Sequence, residues 1–74
     1  MVTVSDLMTK TLVTVPVGTA TADAAKVMNE RQVGSVFIEQ NNRVVGIVTE
    51  SDIVRKVVGE NKPVHCVSVE SIMS

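Results

Sequence analysis

At 74 residues the chain has room for one small domain, and a domain of that size buries only about 60% of the surface its unfolded form exposes, so a lone copy is marginal. Apolar residues make up 45% of the chain and Phe37 is the single aromatic, which implies an aliphatic core with apolar surface left for a partner, most simply a second copy. A net charge of −1 with scattered Lys and Arg excludes a basic stripe for nucleic acid, and no apolar stretch reaches the roughly 20 residues that span a bilayer.

No charged segment leads into an apolar export signal, and the single Cys66 cannot form an internal disulfide. Both observations make a reducing cytoplasmic setting the expected one.

In chain order, "TLVTV" at residues 11–15 reads as a short strand closed by Pro16 and Gly18. From Ala20 to about Arg31 the pattern is helical, with Ala20, Ala24, Val27 and Met28 forming one apolar stripe. Thr19 or Thr21 is the expected N-cap, Asp23 suits the first turn, and Gly34 is the expected break. The β-branched runs at residues 35–39 and 44–49 read as strands joined by "QNNR", whose adjacent asparagines tolerate the left-handed backbone of a hairpin turn. The second run is apolar on both faces, which predicts a central, doubly covered strand. A second helix is expected from about Glu50 to Val58, with Ile53, Val54, Val57 and Val58 inward and Gly59 as its stop. Residues 60–66 are a polar connection. The order strand, helix, strand, strand, helix predicts an α/β fold, β-α-β-β-α, with a small mixed sheet and two helices on one face.

The two ends of the chain share a pattern, either the start of a repeat or a chance pairing of two amphipathic segments. "VSDLMT" (Val4 to Thr9) and "VESIMS" (Val69 to Ser74) share the frame V-x-x-hydrophobic-M-hydroxyl at an offset of 65 residues. That period is longer than a solenoid unit and close to one small domain. It divides the chain into one unit over residues 1–60 and, over 61–74, a linker with the start of a second unit.

The segment "GIVTESDIVRKV" carries the chemistry. Thr49-Glu50-Ser51-Asp52 fits a capping box, in which Thr49 accepts from a free backbone N–H and Asp52 reaches back. The same helix mouth suits an anion, and a carboxylate at its third position can accept from a ribose diol. These roles compete, because a carboxylate occupied by its own backbone is less available to a ligand. Arg55 could reach a phosphate or lie solvated on the helix. His65 and Cys66 lack further ligands at zinc-site spacing, Met8, Met28 and Met73 read as packing residues, and no nucleophile–base pair is present, so neither a metal site nor an enzyme is expected.

Taken together, "VSDLMTKTLVTV", "TADAAKVMNE", "RQVGSVFI" and "GIVTESDIVRKV" resemble, in order and spacing, the CBS domain, named after cystathionine β-synthase. The resemblance covers Val4 to about Val58, and "VESIMS" looks like the lead-in to a second motif. It implies a β-α-β-β-α core that pairs with another CBS motif, in tandem or as a homodimer, and a regulatory rather than catalytic role. It further implies AMP, ADP, ATP or S-adenosylmethionine as a regulatory ligand in the cleft between motifs, with no required cofactor. The family's G-h-x-T/S-x-x-D signature falls on Gly46, Thr49 and Asp52, where the aspartate would take the ribose hydroxyls and the threonine a phosphate or ribose. Thr11 to Val13 would offer backbone to adenine, and Gly34 and Ser35 would permit close approach. Ala20 departs from the Ser, Thr or Pro common at that position. The alternative is a dimerisation or protein-interaction module whose cleft stays empty.

Overall fold

The computed structural model describes residues 13–74. Strand β1 (Thr14–Pro16) leads through Gly18 into helix α1 (Thr21–Arg31), followed by strands β2 (Ser35–Gln40) and β3 (Arg43–Thr49). Helix α2 (Glu50–Ile53) starts directly after β3 and runs on as a π-helical segment (Val54–Val58), and a short 3₁₀ turn (Val69–Ser71) lies near the end. Pro16 is thus the last residue of β1, with its missing N–H at the strand's end, rather than a residue beyond it. Residues 11 and 12 of the expected strand lie outside the described residues.

The sheet order is β1-β2-β3, with β1 parallel and β3 antiparallel to β2. Asn41 and Asn42 both take the left-handed backbone (φ 53° and 62°) and close the β2–β3 hairpin as a two-residue turn. Contrary to the expectation from its composition, β3 is an edge strand of the described sheet and β2 is the central one. Its second apolar face has two local causes. A bulge between Ile38 and Glu39 leaves Val45 without a register partner and turns it outward, 41% exposed. Gly46, next along, is covered by Met73.

Both helices lie on one face of the sheet. Val15, Val36, Ile38 and Val48 of the sheet pack with Ala24 and Met28 of α1, Ile53 of α2 and Val57 of the π-helical segment. Val54 and Val58, expected inward, are each 58% exposed. The widened π turn takes more residues per revolution than an α-helix, which shifts side chains around the axis, and Val57 alone of the segment reaches the core.

Helix α1 begins and ends differently from expectation. Its N-cap is Ala20, which has no side chain to cap with, and neither flanking threonine takes that place. The free N–H groups of Thr21 and Ala22 instead donate to the carbonyls of Val67 and Val64, at 2.8 and 2.9 Å. Thr21 is fully buried and its hydroxyl also donates to Val64. At the other end Gln32 takes the left-handed conformation (φ 56°). Its N–H reaches Asn29 while Val33 reaches back to Met28, so the stop comes two residues before Gly34.

Residues 64–74 therefore belong to the packing of the unit. Val69 and Ile72 are in the core, and Ser68 bridges Ala20. Ser74 exchanges two backbone hydrogen bonds with Ile47 on the outer edge of β3, at 2.9 and 3.1 Å. We call Val67–Ser74 the strap.

Candidate functional site

Because β1 and β2 start, and β3 ends, at the same side of the sheet, several predicted site residues meet there. Val13 precedes β1, and its carbonyl accepts from Phe37 at 2.9 Å. Ser35 opens β2 directly opposite Thr49, the last residue of β3. The Gly34 carbonyl accepts from the N–H of Glu50, the first residue of α2, at 3.0 Å. Among the described residues a side chain added at Gly34 would meet only the Glu50 carboxylate, at 3.8 Å, so packing among them does not require glycine there. Thr11 lies outside the described residues. Arg55 is exposed, and its guanidinium Nε donates to the Ser51 carbonyl at 3.5 Å, along its own helix.

Thr49 and Asp52 form the full capping box. The Asp52 N–H donates to Thr49 Oγ1 at 3.1 Å, while Asp52 Oδ2 accepts from the Thr49 N–H and from its hydroxyl, both at 3.0 Å. The other oxygen, Oδ1, pairs with Lys56 Nζ at 3.2 Å. Asp52 is nearly buried, and no buried side-chain polar atom among the described residues lacks a partner. The Thr49 backbone N–H does most to hold the carboxyl below the usual carboxylate range, working against burial, which pushes it up. Lys56 and the Thr49 hydroxyl add to the lowering.

A carboxylate offers about four lone-pair directions, and three are in use. A ligand diol would need two, so one existing bond would have to yield, and the Lys56 pair is the most replaceable, because its side chain is 42% exposed whereas the two Thr49 bonds lie within the turn.

Lys56 is the residue that sequence reasoning missed. Besides Asp52 Oδ1 it donates to the carbonyl of Ile72 in the strap, at 3.0 Å. Its spacing four residues after Asp52 on a helix was the available signal for the ion pair. Nothing in the sequence pointed to its second partner. Among the described residues, one hollow lies beside this region and another at the opposite end of the sheet. A groove of about 330 Å³ between α1 and α2 is lined by Ala25, Met28, Asn29, Glu50, Ile53 and Val54. Another lies at the hairpin end around Gln40, Asn41 and Arg43. Among the described residues no cluster of His, Cys, Asp and Glu could hold a metal ion, and no helix is long and apolar enough to cross a membrane.

Comparison with known proteins accords with this geometry. The family model described as the CBS domain matches residues 4–59. The fold is similar to a crystal structure of a cystathionine β-synthase domain protein fused to a Zn-ribbon-like domain. The TM-score is 0.83 at 32% identity, covering 85% of this chain and 90% of that one. It is also similar to a protein of Burkholderia ambifaria MC40-6 classed as a candidate signal-transduction protein with CBS domains. There the TM-score is 0.82 at 36% identity, covering 86% of this chain and 47% of that one. A 17.7 kDa protein of Acidianus ambivalens is 47% identical over 53 residues, 70% of this chain and 32% of its own length. The chain spans a third or less of the length of the curated relatives it matches.

Proposed function

The chain belongs to the CBS domain family, and on that premise we propose that it is a regulatory, non-catalytic module that pairs with another CBS motif and binds an adenine nucleotide between the two. The observation that carries the ligand half of this reading is the gathering of Val13, Gly34, Ser35, Thr49 and Asp52 at one end of the sheet. There Asp52, its carboxyl held below the usual range, stands at the start of α2, and among the described residues a side chain at Gly34 would meet only the Glu50 carboxylate, at 3.8 Å. The ligand class is AMP, ADP, ATP or S-adenosylmethionine, with Asp52 taking the ribose hydroxyls in exchange for Lys56 and Thr49 contacting ribose or phosphate. Arg55 reaches a phosphate only by leaving Ser51. The pairing half rests on the apolar surface that one copy leaves exposed, at Val45, Val54 and Val58.

The test is calorimetric titration with AMP, ATP and S-adenosylmethionine of the wild type and of Asp52→Ala, at a temperature where circular dichroism shows both folded. Binding by the wild type that Asp52→Ala weakens at least about tenfold, 1.4 kcal/mol, supports the reading. Absence of heat with every ligand, or equal affinity in the two proteins, overturns its ligand half.

One observation favours a second reading, a pairing module with an empty cleft: Asp52 is already satisfied by its own chain. That reading predicts a paired species whose melting temperature millimolar nucleotide leaves unmoved.

A further inference from the structure

The two oxygens of Asp52 serve different partners. Oδ2 is committed to the turn, accepting from the Thr49 N–H and from the Thr49 hydroxyl, both at 3.0 Å. Oδ1 faces the Lys56 ammonium at 3.2 Å. Each carboxylate oxygen has about two lone-pair directions, so among the described residues Oδ2 is full and Oδ1 has one direction left. Opening a Thr49 bond would undo the capping box. The hydroxyls of a bound sugar would therefore meet at Oδ1. A first hydroxyl can use the open direction, and a second displaces Lys56.

The displaced ammonium stays close. Its other bond, at 3.0 Å, is to the backbone carbonyl of Ile72, a core residue. Tethered there, Lys56 competes for Oδ1 from within the chain, at a high effective concentration. The lysine side chain is 42% exposed and that of the aspartate 8%, so solvent screens the pair only in part. The bond that a second hydroxyl gains is then offset by the bond that the lysine loses. We propose that Lys56 is a specificity-determining residue, which competes with the second ribose hydroxyl for Asp52 Oδ1 and so narrows the preference for ribonucleotides over 2′-deoxyribonucleotides. A carboxylate with both oxygens open would grip the diol and disfavour the deoxy sugar, whereas this one discriminates less. That role rests on the ligand half of the reading above.

The experiment compares AMP with 2′-deoxy-AMP by calorimetric titration of full-length wild type, Lys56→Met and Lys56→Arg, at a temperature where circular dichroism shows all three folded. The ratio of the two affinities is taken within each protein. Both nucleotides carry the same phosphate and meet the same strap, so a lost phosphate contact or a loosened strap cancels from the ratio. The preference for AMP is expected to be at least about threefold larger in Lys56→Met than in the wild type. Lys56→Arg, which keeps a cation beside Oδ1, should hold the ratio near its wild-type value. An equal ratio in wild type and Lys56→Met, or loss of all binding in Lys56→Met alone, overturns the competition and leaves nucleotide binding standing. A shift that Lys56→Arg shares in full places the effect in side-chain shape and overturns it too. Binding of neither nucleotide by any of the three proteins overturns both readings.

Discussion

With two oxygens Asp52 accepts three hydrogen bonds, and its titration follows from them. The carboxyl ionises more readily folded than unfolded, so folding favours its charged form. Its contribution is complete above the unfolded pKa, about 3.9, and is lost as pH falls through the lower folded value. Asp52→Asn, which can still accept from the Thr49 N–H but carries no charge, should cost about 1 kcal/mol at pH 7. Urea denaturation of both proteins at pH 7 and pH 3 checks this, and the gap should narrow at the lower pH. A gap of unchanged size there would place the effect in shape rather than charge. Gly46 gives a second prediction at this scale. Gly46→Ala should destabilise by about 1–3 kcal/mol through overpacking against the strap. Adding Met73→Ala should return only part of that loss, since the Ser74 carbonyl still opposes the new methyl group. Thermal melts of the single and double variants measure the difference.

Among the elements, the hairpin and both helices were legible because each rests on residues within a few positions of one another. The Asn41-Asn42 pair, the β-branched runs and the Thr49–Asp52 box are all local signals. What was not legible depended on contacts from far along the chain. Ala20 can open α1 because the Val64 and Val67 carbonyls arrive from more than forty positions later to take its free N–H groups. β3 read as central because its outward face is apolar, yet that face is a bulge plus a seat for Met73. The candidate site was legible as a capping box, and its occupation by Lys56 was not. The π turn was hidden too, since it shifts side chains around the axis without any change in residue type. It supplies a prediction that a regular α-helix does not make. Val58→Lys should change stability by no more than about 0.5 kcal/mol, whereas Val57→Ala, at a fully buried position, should cost about 2 kcal/mol. Equilibrium denaturation of the two variants separates them, and a large loss at Val58 would argue for an inward-facing side chain there.

For the molecule as a whole, a unit this small with Val45, Val54 and Val58 exposed should gain stability from association. Its melting temperature is expected to rise with protein concentration, as mass action requires of a paired native state. Calorimetric scans over a hundredfold dilution range, run beside sedimentation, check this. A concentration-independent melt of a sedimenting monomer would contradict it. The ammonium of Lys56 adds a last consequence at this scale, because it serves two masters: the Asp52 carboxylate and the Ile72 carbonyl. Whatever draws Asp52 away from it leaves the lysine freer to hold the strap, and whatever lifts the strap leaves it freer to hold Asp52. If both contacts can open, the two openings would be coupled through one ammonium, and by linkage each would alter the other's equilibrium by the same factor. A single side chain thereby ties the capping box at one end of the sheet to the strap along its edge.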